Sequence, residues 1–464
     1  MVVREADEHE DFYVKIGDRW LLIDEKFLRW HPGGNALIAY KNKDATTAFH
    51  TFHVGSKEAY RTLQERYKKQ PNVEPKFDHK DPTWSEMYDV NMGKWEMSEE
   101  KAKQVADDFD KLRIRVRTIG LLNGSHTFFA RKFMESLLLI GIALLLQYHT
   151  YYIASALVMG LAWQQLGWMI HEYCHHQHFK NHNFNDFMSL IVGNLLQGFS
   201  SGGWKNQHNI HHAATNVVGR DGDLDLMPFF ATLLDASSWV LQMLPYQHLY
   251  WTFSMPLLRL SWLLQSIQFV STMNTNFYDI HRQRARIEQL TLSIHWLLVF
   301  TQLSYLPDLQ TVMIYFFTSQ LFGGFLLAHV VTFNHYSTDK FPCEFHGQHY
   351  KLDMSINNAS IIENYPCLQV YTTRNMRSDQ FHFIDWLWGG LNYQIEHHLF
   401  PTMPRNNLCK VVPLVREFCE KHDLPYMVDD YWTGWKYEIE QLRNVARTAS
   451  KMVDKVREPY HRTF

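Results

Sequence analysis

Cysteine is scarce. The five residues, Cys174, Cys343, Cys367, Cys409 and Cys419, are scattered and fall into no paired spacing. That pattern argues against a disulfide scaffold or a cysteine-type zinc site and for a reducing compartment. Excess charge of one sign is also lacking: 45 Lys+Arg stand against 48 Asp+Glu, a net charge of −3. No nucleic-acid partner is therefore expected. There is no internal repeat and no low-complexity tract, and the acidic opening Met1–Tyr13 has no apolar core, so no secretory signal is expected. With 46% hydrophobic and 20% charged residues the chain is not of the disordered class. What is abundant is histidine, at 27, and aromatic residues, at 15%. A length of 464 residues exceeds one compact core and predicts at least two units.

Charge falls in blocks. Residues 1–75 read as a small soluble domain, 76–106 as a linker rich in proline and acidic residues, and 107–464 as a second unit. Asp107 to Leu122 carries Phe109, Leu112, Ile114, Val116 and Ile119 at helical spacing, which predicts an amphipathic helix. From Ser136 to Ile170 there is no Asp, Glu, Lys or Arg. The run is too long for one membrane span of about 20 residues and suits two. A second block, Gln289 to Thr338, is broken only by Asp308 beside Pro307. The expected spans are 132–147, 150–170, 289–306 and 311–331, with turns at 147–150 and 306–310. Arg131, Lys132 and Lys180 flank the first hairpin, and Arg282, Arg284, Arg286 and Lys340 the second. By the positive-inside rule both hairpins begin and end in the cytoplasm. Polar Gln164 and Gln165 keep open the blander reading, a buried helical hairpin in a soluble protein. Ala236 to Leu258 is also charge-free but is broken by Pro245 and Pro256, which suggests an interfacial helix or a re-entrant segment.

Two sets of histidines carry the chemistry. In the N-terminal domain, Phe27-Leu28 precedes His31-Pro32-Gly33-Gly34, and Asp44-Ala45-Thr46 precedes Phe49-His50-Thr51-Phe52-His53. In the second unit there are three clusters: His171 with His175, then His208 with His211 and His212, then Gln394 with His397 and His398. Spacings of i, i+3 and i+4 place each set on one helical face. His335, just beyond the fourth expected span, is a further candidate. Imidazole suits iron, copper and zinc, and so many around one cavity imply more than one ion. For His176, His178, His182, His346 and His349 a satisfied core or interface role is the expectation.

The N-terminal pattern resembles the cytochrome b5 haem-binding domain. The resemblance makes His31 one axial haem ligand and, by position, His53 the other, with His50 the competitor. Two imidazoles saturate a haem iron and favour electron transfer over oxygen binding. The three clusters resemble the histidine boxes of membrane fatty acid desaturases, and Gln394 leading the third box behind such a domain resembles the front-end class. Gly202-Gly203-Trp204, Thr373-Arg374-Asn375-Met376 and Trp386 to Leu391 extend the likeness to animal delta-5 and delta-6 fatty acyl desaturases. Glu172 stands where many relatives have Asp, and residues 341–361 form a longer segment than usual.

The resemblance implies a fold: a small α+β haem domain, then an all-α membrane domain of four transmembrane helices in two hairpins under a cytosolic helical cap. It implies haem b at His31 and His53. It implies two iron ions held by His171, His175, His208, His211, His212, His335, Gln394, His397 and His398, with Glu172 and Glu396 as partners that orient imidazoles. It further implies O2 as co-substrate, electrons from NADH through a separate cytochrome b5 reductase, and the endoplasmic reticulum membrane with both termini cytosolic. The substrate would be a fatty acyl chain, carried on CoA or in a phospholipid. The double bond would enter at delta-5, with delta-6 next. A sphingoid-base delta-8 desaturase or a lipid hydroxylase is the same-fold alternative. A non-catalytic membrane-anchored cytochrome b5 is the alternative of a different class, and it leaves the three boxes without a purpose.

Overall fold

The computed structural model describes residues 11–75, 96–217, 220–224, 243–341, 358–360 and 364–461. Most of the expected linker, the start of the 236–258 stretch, and most of the 341–361 segment with His346 and His349 lie outside the described residues.

Strands β1 (Phe12–Ile16) and β2 (Arg19–Ile23) form an antiparallel hairpin, with Phe12 opposite Ile23. Helix α1 (Glu25–Trp30) follows, capped by Asp24, whose carboxylate accepts from the Phe27 N–H at 2.8 Å. A 3₁₀ stretch (Gly34–Tyr40), α2 (Thr46–Phe52) and α3 (Lys57–Lys69) complete a small α+β unit. Its core is Phe12, Val14, Ile23, Leu28, Ile38 and Ala45, and Tyr278 of the second unit inserts into it.

After β3 (Glu96–Ser98), α4 (Glu99–Thr118) begins earlier than expected, inside the stretch read as linker. The reason is local: Ser98 accepts from the Lys101 N–H, and Glu99 and Glu100 complement the helix dipole. Its buried face is Ala102, Val105, Phe109, Leu112 and Val116. Ile114, expected on that face, is exposed because the 3.6-residue period carries it round to the other side, and Ile119, in register with Leu112 and Val116, is exposed because it is the C-cap beyond the last turn.

Helices α5 (His126–Tyr148) and α6 (Tyr152–Cys174) form the first hairpin. Then come α7 (His182–Ser189), a π-helical stretch (Leu190–Gln197), α8 (Ser201–Ala213), α9 (Gln247–Ser254) and α10 (Leu258–Thr272). Pro245 and Pro256 each open a 3₁₀ turn, which splits this part into short helices. The second hairpin is α11 (Asp279–Ser304) and α12 (Leu309–Phe333). All four long helices overrun the expected spans at the ends that carry the basic flanks or the first histidine cluster. Beyond β4 (Asn358–Ser360), antiparallel to β3, lie α13 (Tyr365–Tyr371), β5 (Asn375–Met376), α14 (Phe383–Leu387), α15 (Gln394–Leu399), α16 (Arg405–Lys421), β6 (Val428–Asp429), parallel to β5, and α17 (Tyr431–His461).

Helices α6 and α12 are each long and apolar enough to cross a membrane. They approach closely because both carry glycine at the contact: a Cβ on Gly160 would lie 2.7 Å from the Ser319 carbonyl oxygen. Trp163, Leu166, Trp168, Met169, Leu327 and Phe333 form their shared core. The outward faces of α5 (Met134, Leu138, Leu145) and α11 (Leu290, Leu297, Phe300) are apolar and exposed. A second core, with Phe109, Tyr365, Ile395, Leu399 and Val415, joins α4, α13, α15 and α16 into a cap.

Candidate metal centre

Four separate pieces of chain deliver the clustered histidines to one place. His171 lies in the last turn of α6 and His175 caps it. His208, His211 and His212 share α8, His335 follows α12, and His397 and His398 end α15. Ring centroids lie 4.6 Å apart for His171 and His397, 4.5 Å for His175 and His212, and 4.6 Å for His211 and His335. Two groups result. His171, His175, His208, His212 and His397 offer ligand atoms within 4.8 Å of one another, and so do His211, His335 and His398. All but His208 are buried.

Hydrogen bonds set the direction of four rings. His208 Nδ1 faces Asp223 Oδ2 at 2.9 Å, and His211 Nδ1 faces both oxygens of Asp221 at 2.9 and 3.0 Å. His335 Nδ1 faces the Thr372 carbonyl at 3.0 Å, and His398 Nδ1 faces Gln369 Oε1 at 2.8 Å. Each partner is an acceptor, which assigns the proton to Nδ1 and leaves the Nε2 lone pair for a cation. Buried ring nitrogens on His175, His212, His397 and His398 have no hydrogen-bond partner among the described residues. His212 Nε2 sits 3.1 Å from His208 Nε2 and 3.2 Å from His397 Nε2, a crowding of nitrogens that a bound cation resolves. Burial pushes His208, His212, His397 and His398 down, towards the neutral, metal-binding form. His211 departs from this: burial lowers it, but the Asp221 carboxylate outweighs burial and leaves it above the ordinary value. The donor set, imidazole-rich and closed to water, fits two transition-metal ions.

Gln394 is brought to the second group, with its Nε2 2.9 Å from His335 Nε2 and its Oε1 accepting from Asn334 at 3.1 Å. It thus presents its amide nitrogen to the group. Glu172 and Glu396, expected to orient imidazoles, do not. Glu172 pairs with Arg405 at 2.9 Å, and Glu396 accepts from Tyr426 at 2.5 Å and Asn375 at 2.8 Å. Side chains at i+1 and i−1 from a ligand point away from the ligand's face of the helix. The orienting carboxylates are Asp221 and Asp223, which the sequence reading missed. The signal was Asp221-Gly222-Asp223 a short way beyond the second cluster.

In the N-terminal unit, His31 and His53 lie with ring centroids 6.2 Å apart. The His53 Nδ1–H donates to the Phe49 carbonyl at 2.9 Å, which frees Nε2. His31 is pushed down to about 3, mainly by burial. His50 turns elsewhere, with Nδ1 2.9 Å from the Tyr60 hydroxyl. Two neutral imidazoles between Phe27 and Phe49 are a donor set that suits haem.

The sequence profile described as "Fatty acid desaturase" matches residues 148–429, a stretch that contains every clustered histidine. The Delta(5) fatty acid desaturase fat-4 of Caenorhabditis elegans is 56% identical over 98% of this chain and 100% of its own length. The Delta(6)-fatty-acid desaturase fat-3 of the same organism is 43% identical over 93% of this chain and 96% of its own. The Delta(8)-fatty-acid desaturase of Euglena gracilis is 35% identical over 91% of this chain and 94% of its own. With this likeness running end to end, and with the histidines gathered as oxidative chemistry on an acyl chain requires, the chain belongs to the fatty acid desaturase family.

Proposed function

We propose that this desaturase acts at the front end of polyunsaturated acyl chains, inserting a cis double bond between an existing double bond and the carboxyl group, at the delta-5 position. The 56% identity to a relative named for delta-5 supports that position, and the 43% identity to one named for delta-6 makes delta-6 the second reading. The observation that carries the proposal is the pair of adjacent imidazole groups at the ends of two long apolar helices, where an acyl chain can lie among apolar side chains. His171, His175, His208, His212 and His397 hold one iron, and His211, His335 and His398 the other. Together the irons supply O2 activation: one O2, two electrons, two protons and two hydrogens from adjacent methylenes give a double bond and two waters. Asp221, Asp223, Gln369 and the Thr372 carbonyl hold the ring tautomers. Gln394 braces His335 or, with its amide turned, offers a weak oxygen donor.

The N-terminal unit is a cytochrome b5-like domain, and haem b between His31 and His53 supplies one-electron transfer, fed from NADH by a cytochrome b5 reductase. The membrane domain spans four times, through α5, α6, α11 and α12. Both termini are cytosolic and the membrane is that of the endoplasmic reticulum. The exposed apolar faces of α5 and α11 support the two spans beyond α6 and α12. The test is expression in yeast supplied with defined polyunsaturated acids, followed by lipid analysis. A new double bond on the carboxyl side of an existing one is expected, and none in His171→Ala or His398→Ala. Product only from saturated or monounsaturated chains would refute the front-end reading.

A further inference from the structure

Two loops flank the first hairpin. Asn123-Gly124-Ser125 leads into α5, and Gln177-His178-Phe179-Lys180-Asn181 leads out of α6. They meet so closely that a Cβ on Gly124 would lie 2.3 Å from the His178 carbonyl oxygen. Buried Asn185 on α7 fixes the second loop. Its Oδ1 accepts from the His178 and Phe179 N–H groups at 3.3 and 3.0 Å, and its Nδ2 donates to the Phe179 and Asn181 carbonyls at 2.7 and 3.3 Å. Here lies a cavity of about 410 Å³, whose lining includes His126, His178, Phe179, Lys180, Asn181 and Phe184. Its size falls among small-molecule sites of roughly 300–1,000 Å³. None of the lining residues is a carboxylate. The proposed chemistry assigns this cavity no role.

We propose that this cavity binds the phosphate-bearing head of the carrier to which the acyl chain is attached, with Lys180 and His126 as the phosphate's donors. This rests on the front-end desaturase reading above. A hydrogen-bonded chain delivers one of the donors. The Tyr173 hydroxyl lies 3.3 Å from His178 Nδ1, and His178 Nε2 lies 2.8 Å from His126 Nδ1. Tyr173 is buried, and its hydroxyl has no other partner among the described residues. The O–H therefore donates, since otherwise a buried proton would go unpaired. His178 Nδ1 then accepts, His178 Nε2–H donates to His126 Nδ1, and exposed His126 keeps its Nε2–H as a donor at the cavity wall. Stacking on Phe129, with centroids 4.1 Å apart and planes within 9°, holds the His178 ring in place. Lys180 is exposed and pairs with no carboxylate among the described residues, so its charge is free to act. An ammonium and an imidazole N–H without a competing carboxylate suit a phosphate oxygen.

Aromatic rings complete the wall. Phe179 and Phe184 lie with centroids 5.8 Å apart, and Phe184 is exposed. They offer faces to what the phosphate carries, the adenine of CoA by stacking or a choline cation by cation–π contact. The position also suits the reaction. The cavity stands where α5 begins and α6 ends, the end of the hairpin with the basic flanks Arg131, Lys132 and Lys180. His178 follows His175 of the five-histidine group by three residues. Three residues span no more than about 11 Å between Cα atoms. Front-end insertion puts the reacting methylenes only a few bonds from the acyl carbonyl, so the carrier's head must sit close to the metal centre. Lys180 and His126 would hold that head and not the reacting carbons, so their contribution belongs to substrate binding.

The test uses full-length holoenzyme in detergent, with the reductase, as parent, the double variant His126→Ala with Lys180→Ala, the conservative Lys180→Arg, and Arg131→Ala as the control for surface charge. One polyunsaturated chain is offered as its CoA thioester and as its phosphatidylcholine ester. The double variant is expected to raise KM about tenfold or more for at least one carrier, with kcat, iron content and haem spectrum at parent values. A rise confined to one carrier identifies that carrier as the source of the phosphate. Lys180→Arg and Arg131→Ala should keep the parent KM. Calorimetric titration with free CoA and with glycerophosphocholine should show the head of the same carrier binding the parent and losing affinity by a similar factor in the double variant. Parent KM for both carriers in the double variant would overturn the proposal. So would an equal rise in Arg131→Ala, a loss confined to kcat and accompanied by loss of iron, or a parent that binds neither free head. A parent that turns over neither carrier, yet binds one head through Lys180 and His126, would instead refute the desaturase reading and leave the cavity's assignment standing.

Discussion

Asp221→Asn tests the claim that carboxylates missed by sequence reasoning hold the centre. Asp221 accepts from four directions. Oδ2 takes the Asn216 N–H at 2.7 Å and the His211 ring at 2.9 Å, while Oδ1 takes the Asp223 N–H at 2.9 Å and the same ring at 3.0 Å. Every partner is a donor. An asparagine keeps the size but turns one oxygen into an NH2 group. Whichever way the amide sits, one backbone N–H then faces a donor in a buried place, a conflict worth about 1–3 kcal/mol. The other oxygen still accepts from His211, but a neutral amide no longer favours the ring as the carboxylate does. Losses at partners of metal-bound histidines run about 10–100-fold in affinity or activity, or roughly 1.4–2.8 kcal/mol. The expected result is iron content reduced under competition by a chelator, desaturation reduced by that factor, and an unchanged haem spectrum. Glu396→Gln is the control, since that buried carboxylate accepts from Tyr426 and Asn375 and, among the described residues, from no imidazole. Asp221→Asn with parent iron retention and parent product yield would refute the reasoning. So would equal loss in Glu396→Gln.

Three further outcomes are expected. Gln394→Ala should nearly abolish desaturation with the haem spectrum intact, because it removes the group facing His335, whereas Gln394→His should keep part of the activity; normal product yield at normal expression would remove Gln394 from the site. His31→Ala and His53→Ala should each lose the six-coordinate low-spin haem spectrum while His50→Ala keeps it, since His50 faces Tyr60; the reverse pattern for His50 and His53 would reassign the ligand. Glycosylation acceptor sites placed in the turns at 149–151 and 305–308 should be used in microsomes, and sites near residue 75 should not; the opposite labelling would invert the topology.

The sequence by itself determined what depends on short range. The i, i+3 and i+4 spacings put His208, His211 and His212 on one face of α8 whatever surrounds it, and the charge-free runs marked both long hairpins. The reading of His31 and His53 as a pair came from one local pattern, a turn and its flanks. The tertiary structure decided what depends on long range. Asp221 and Asp223 orient imidazoles through contacts made only when the chain beyond α8 folds back on it, whereas Glu172 and Glu396, next to ligands in sequence, point to Arg405 and Tyr426. The sorting of nine candidate ligands into groups of five and three with Gln394 alongside, and the seating of the N-terminal unit on α8, are likewise three-dimensional facts. They arise from four chain segments meeting under α6 and α12, and helical period carries no information about which segments meet.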